Sequence, residues 1–335
     1  MRFVTTVAVI LTISACLQID VYAQTRARNS TQQVPGLLAS LPESDGVAQV
    51  KIKRLLNEVM PQVLANSPGK LAEANANIER FKSRTGIDPR AFEQLALGVR
   101  YNYPSEGITK VKSVVLASGA FNPAAIVAAG RVAANGKYRE EKYQGKTIYV
   151  FDLEEEIKFL GLFAFKVRQL AAAPLDANTL ALGDLEAVRG AIDVSRGRKR
   201  ANAELISLAS RDPNAVIGFG SNISPSLLKN FDIGNAAIES DLAAVRLVYG
   251  AMGATEKDVD LFIGARTVNA DSAKNLSDTL EGLKQLGTIF IGRLTGAKGV
   301  LAKSALSNLK IVTQANELQI RTAVAQADIA PLMGK

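Results

Sequence analysis

The chain has 335 residues, a net charge of +8, no histidine and no tryptophan, and its single cysteine is Cys16. Beyond that N-terminal cysteine, the usual imidazole and thiol routes to acid–base, nucleophilic and transition-metal chemistry near neutral pH are closed. Apolar residues at 47% support a packed core, whereas aromatics at 6% argue against sugar- or base-stacking platforms.

The N-terminus reads as an export signal: Arg2, an apolar run over 3–15, then Val21-Tyr22-Ala23 before Gln24. Cleavage after Ala23 makes 1–23 a signal peptide. A second reading uses Ile13-Ser14-Ala15-Cys16, which matches a lipobox and would lipidate Cys16. Either way the chain is expected in the periplasm or outside the cell, and no later stretch is apolar for long enough to span a membrane. Arg2 and Asp20 cancel, so processing keeps the basic excess, which suits envelope protein, lipid or anionic glycan as partners. No nucleic-acid partner is expected. Without further cysteines there is no disulfide framework, and the core must supply the stability.

Residues 24–36 (QTRARNSTQQVPG) are polar and aperiodic, a flexible leader. A strand is predicted near 47–52 after Ser44-Asp45-Gly46, then a helical turn at Leu55–Met60 interrupted by Pro61. Ser67-Pro68 opens a helix with Leu71, Ala74, Ile78 and Phe81 on one face, stopped by Gly86. Residues 92–101 and 113–121 read as strands. Asn122-Pro123 starts a helix closed by Gly136, and 138–151 is a hairpin turning at Gln144-Gly145. An apolar run over 175–182 leads into a helix near Asp184. In the second half, 215–220 is a strand and 235–252 a helix with Leu242, Val245, Val248, Tyr249 and Met252 on one side, stopped by Gly253. Residues 259–268 read as a strand, Asn269 or Asp271 caps a helix, and 309–324 is a hairpin turning at Ala315-Asn316-Glu317.

The halves show parallels. Leu95-Ala-Leu-Gly98-Val-Arg100 matches Leu261-Phe-Ile-Gly264-Ala-Arg266, and Leu37-Leu-Ala-Ser-Leu matches Leu205-Ile-Ser-Leu. The expected fold is α+β, with two related halves, each a mainly antiparallel sheet with helices packed on one face. The halves span 37–194 and 204–335, joined by a basic linker at 195–203 (SRGRKRANA). With its Leu-Pro-Glu-Ser-Asp opening at 41–45, its export signal and this plan, the chain resembles a family of secreted bacterial proteins of no known activity. The resemblance implies no site residues.

Few catalytic constellations survive. Ser-Lys chemistry needs neither His nor Cys, and the Ser-x-x-Lys spacing occurs at Ser67–Lys70 and at Ser226–Lys229. The Lys-Thr-Gly strand of penicillin-recognising enzymes is missing, since Lys146-Thr147 continues to Ile148, and Ser277-Asp278-Thr279 matches their middle motif only loosely. Glu154-Glu155-Glu156 offers carboxylates, but neighbours in one loop do not flank a scissile bond; Asp258 and Asp260 read as surface residues. Neither a metal loop nor a complete phosphate loop is present, so no cofactor is expected. The contact candidates are Arg196, Arg198, Lys199 and Arg200 in the linker, and Phe159, Leu160, Phe163 and Phe165 in the run 157–167 (IKFLGLFAFKV). That run is either a core segment or an exposed apolar loop meeting membrane, lipid or protein. The expected function is a non-enzymatic exported envelope protein that binds a partner or an apolar or anionic ligand between its halves. The alternative is a hydrolase using Ser226 with Lys229, or a carboxylate pair.

Overall fold

The computed structural model describes residues 36–105, 108–152, 156–159, 163–166, 169–228 and 234–332. The signal peptide, Cys16, nearly all of the leader, Glu154, Glu155, Leu160 and Lys229 lie outside them.

The fold is α+β, and every strand pair is antiparallel. In chain order the first half holds β1 (Gly46–Val50), α1 (Pro68–Thr85), β2 (Phe92–Ser105), β3 (Ile108–Gly119), α2 (Pro123–Ala134), β4 (Tyr138–Tyr143), β5 (Lys146–Asp152), β6 (Glu156–Phe159), β7 (Phe163–Lys166), β8 (Gln169–Pro174), β9 (Thr179–Gly183) and α3 (Leu185–Val194). The second holds α4 (Ala203–Ala209), β10 (Ile217–Asn222), α5 (Ala236–Ala243), β11 (Val245–Ala254), β12 (Asp258–Thr267), α6 (Ala270–Ile291), α7 (Gly296–Ser307), β13 (Lys310–Gln314) and β14 (Glu317–Ala325). Twelve strands form one sheet in the order β13-β14-β12-β11-β10-β1-β2-β3-β9-β8-β5-β4, and β6 pairs only with β7 in a separate ribbon.

The halves therefore share a sheet instead of building one each. They meet at the β1–β10 pair, where Ala48 stands opposite Phe219; outward from it the first half runs β2-β3 and then β9-β8-β5-β4, the second β11-β12 and then β14-β13, so each half is antiparallel but crosses over once. One hydrophobic cluster crosses the junction, joining Leu38, Leu41 and Ile192 to Ala201, Leu205, Ile206 and Tyr249. Each of the larger side chains there contributes about 1.5–3 kcal/mol on burial.

Helices cover both faces of the first half. On α3, Val188, Ala191 and Ile192 (i, i+3, i+4) pack with Ile148 and Val150, while Val127 of α2 packs with Phe151 and Ala172. Adjacent strand residues point to opposite faces, so α2 and α3 sandwich the sheet. The one-face expectation missed this because β5 alternates two apolar sets, Ile148/Val150 and Tyr149/Phe151.

Local signals hold at most boundaries. The Asn122 carboxamide accepts from the Ala124 and Ala125 amides, Asn202 accepts from Glu204, and Asn269 accepts from Ser272, each cap contributing about 1 kcal/mol. Gln144 and Gly145 both have positive φ, at 48° and 75°, as a two-residue hairpin turn requires. Gly86 ends α1 at φ 72°.

Three expectations change. The predicted helix 235–252 ends at Ala243, and Val245–Ala254 is β11 with Gly253 inside it. An apolar spacing of three and four also fits a strand whose two faces are both covered, which is the case for Val248 on one face and Leu247 and Tyr249 on the other. As a result Leu95–Arg100 lies on β2 and Leu261–Arg266 on β12, the second and third strands of their halves counted from the junction. Second, the apolar run 175–182 leads into α3 as expected but is not one element: it takes in the β8–β9 turn and the start of β9. Third, α1 buries none of its residues: Leu71, Ala74 and Ile78 are half-buried and Phe81 is exposed.

Candidate functional site

A groove of about 670 Å³ opens beside the basic linker. Its floor is the α3 face of β2 and β3, where Gly98 stands opposite Val114 and Arg100 opposite Lys112. One wall is Pro42–Ser44, another is α3 from Glu186 to Asp193, and Gly197–Lys199 closes one side. Tyr143 reaches in from the end of β4. Glycines create the close approach on two sides. A Cβ on Gly98 would stand 2.7 Å from Ser44 Oγ, and one on Gly190 would stand 3.0 Å from Pro42 Cβ. No residue of the second half lines this groove, so it is not the cleft between halves that the sequence suggested.

The lining carries five cations, Arg100, Lys112, Arg189, Arg198 and Lys199, against the carboxylates of Glu43, Glu186 and Asp193. Lys112 pairs with Glu186 and holds its carboxyl below the usual range. Arg100 lies 3.6 Å from Glu43, and Arg198 lies 3.5 Å from Asp193. Arg189 pairs at 2.6 Å with Glu141 of β4 and stacks over the Tyr143 ring. The Tyr143 hydroxyl donates to Asp193 Oδ2 at 3.0 Å, which raises its pKa. Asp193 Oδ1 is buried and has no partner among the described residues. The Arg100–Glu43 and Lys112–Glu186 pairs are exposed on both sides and each worth under about 1 kcal/mol, so an incoming anion can displace them at little cost.

The four linker cations separate. Arg198 and Lys199 face the groove. The Arg196 guanidinium donates to the Gln144 carbonyl at 2.5 Å and ties down the β4–β5 turn, while Arg200 bridges to Pro42 through the backbone. Phe159, Phe163 and Phe165 lie in the β6–β7 ribbon, outside the main sheet, and Leu160 falls outside the described residues.

The catalytic candidates do not assemble among the described residues. Ser226 is exposed on the four-residue helix Pro225–Leu228, and Lys229 lies outside the description. Lys70 Nζ donates to the Pro331 carbonyl at 3.0 Å. Thr279 donates to Asp241 at 2.5 Å, tying α6 to α5. Asp260 is not the surface residue it resembled: its Oδ1 is buried without a partner among the described residues, and desolvation, then Asp258 and Asp212, raise its pKa. No cluster of three or more potential metal ligands occurs among the described residues.

Sequence reasoning missed a second polar cluster. Glu317 accepts from Tyr249 and Gln319 and lies near Arg211 and Arg266, while Arg266 also pairs with Glu204 at 2.5 Å. Arg211 stacks over Tyr249 and Phe262, and Arg321 lies over Phe262. These charges compensate one another and contain no nucleophile with a base, so the cluster ties β11, β12 and β14 together. Its only sequence trace was the Gly264-Ala-Arg266 pattern.

No family model and no curated protein matches the chain. Among solved structures it is similar to TP0453: in crystal form III at TM-score 0.46 and 11% identity, covering 88% of this chain and 96% of that one, and in crystal form I at TM-score 0.43 and 8% identity, covering 88% and 95%. No described helix is long and apolar enough to cross a membrane.

Proposed function

We propose that this is a non-enzymatic envelope protein that binds an anionic ligand, or an acidic group on a partner, in the groove beside the linker. One observation carries the reading: five cationic side chains line a 670 Å³ groove with three carboxylates, and although a fourth, Glu141, pairs with Arg189 from outside the lining, cations stay in excess. Exposed ammonium and guanidinium groups in a concave site focus a positive potential and suit carboxylate or phosphate oxygens. The guanidiniums of Arg100, Arg189 and Arg198 supply planar donor pairs, and Val114 with Ala187 supplies an apolar floor. The export-signal pattern at 1–23 supports this reading, because an exported binder would meet anionic lipids and glycans.

The test is mass spectrometry of small molecules co-purified from the native envelope, run for the wild type and for Arg198→Glu with Lys199→Glu. Both side chains are exposed, so the double variant should fold. An anionic species present with the wild type and depleted with the variant supports the proposal. Identical profiles overturn it.

A further inference from the structure

Both arms of the α6–α7 hairpin pack on the sheet, α6 through Leu276 against Leu318 and α7 through Ala305 against Ala323. Near its start, Ala273, Leu276 and Leu280 face the sheet and α5. Further on, Gly287 lies against Leu306 and brings the two helices together. Around the tip the apolar residues turn outward: Leu286 is 53% exposed, Ile289 64%, Phe290 58%, Leu294 54% and Val300 53%. These are half of the large hydrophobics exposed across the described residues, gathered within 15 residues of sequence. The charge there has one sign. From 282 to 316 the sequence contains Lys284, Arg293, Lys298, Lys303 and Lys310 and no Asp or Glu. Arg293 sits over the Phe290 ring, next to the exposed apolar residues.

We infer that this tip is a membrane-docking element that inserts Ile289, Phe290 and Leu294 into the headgroup–acyl boundary of an anionic bilayer. A helical-hairpin tip with five exposed apolar side chains suits a deformable apolar layer better than a second rigid protein, which would need a groove to receive it. The acid-free basic flank complements anionic headgroups, each cation near the surface adding about 1 kcal/mol. The inference does not depend on the groove reading.

The absence of tryptophan provides a clean probe. In the full chain carrying Phe290→Trp, a conservative change at an exposed position, the only indole reports on the tip and not on the N-terminal segment. With vesicles of phosphatidylglycerol and phosphatidylethanolamine, its emission should move to the blue and be quenched by brominated acyl chains. Phosphatidylcholine vesicles should give roughly tenfold weaker binding, as should Arg293→Glu with Lys298→Glu. Adding Ile289→Asp should weaken binding to the anionic vesicles by about tenfold or more. No blue shift and no quenching with anionic vesicles overturns the inference. So does self-association without lipid that Ile289→Asp abolishes, because the tip would then be covered by a second copy.

Discussion

The Tyr249 hydroxyl donates to Glu317 Oε1 at 2.5 Å and accepts from Arg211 Nη1 at 2.6 Å, although the ring is fully buried. Gly264 stands opposite Tyr249 in the β11–β12 ladder, and any Cβ there would overlap the ring. Burial and then the Glu317 bond push the tyrosine pKa up to about 12, so the hydroxyl keeps its proton at any pH the protein meets. One glycine thus makes room for an aromatic ring whose hydroxyl joins β11 to β14 across β12.

Removing that hydroxyl isolates the polar term. Tyr249→Phe keeps the packing and should destabilise by about 1–2 kcal/mol in denaturant unfolding, because Glu317 loses its donor in a half-buried site. Gly264→Ala should cost about 1–3 kcal/mol, since the ring must move to admit the methyl group.

Asp260 produces a pH dependence of definite sign. Its folded pKa lies above the ordinary 3.8, so the folded state binds the proton more readily than the unfolded one. Stability therefore falls as pH rises from about 3.8 through the raised folded value, and stays reduced above it. Asp260→Asn should stabilise at pH 7 by about 1 kcal/mol and have little effect below the unfolded pKa. Paired chemical-denaturation curves at pH 7 and pH 3.5 check this, and a larger gain at the lower pH would contradict it.

Two glycines lining the groove are there for different reasons, Gly98 for a close approach and Gly197 for a left-handed backbone. Gly98→Val should push the Pro42–Ser44 wall off the sheet and destabilise by about 1–3 kcal/mol. Gly197→Ala, at φ 84° with open space around its Cβ position, should cost about 1 kcal/mol through backbone strain alone. Melting curves on both variants separate crowding from conformational strain.

At the β13–β14 turn, Ala315 holds φ 51°, a left-handed conformation that costs an alanine about 1 kcal/mol. Ala315→Gly should raise stability by up to about 0.5 kcal/mol once the greater freedom of glycine in the unfolded chain is counted. A drop in melting temperature would refute the assignment of strain there.

The elements most legible in the sequence were those governed by contacts a few residues long. Asn122 and Asn269 capped helices, Gln144-Gly145 turned a hairpin, and Gly86 stopped a helix, because each is decided by local hydrogen bonds and allowed φ values. Composition marked Arg196, Arg198, Lys199 and Arg200 as one basic cluster without saying which of them face a groove, and the lack of histidine narrowed the chemistry. Tertiary structure decided what depends on strand partners. Val245–Ala254 became a strand because β10 and β12 flank it, with both faces covered, so its apolar spacing carried no single period. The joining of β1 to β10 merged two expected sheets into one. The groove drew Arg100, Lys112 and Arg189 from β2, β3 and α3, residues that no linear motif connects, and left the second half out of its lining. Which hydrophobics stay exposed at the α6–α7 tip was likewise a matter of where the sheet ends, since helix periodicity marks an apolar face without saying what covers it.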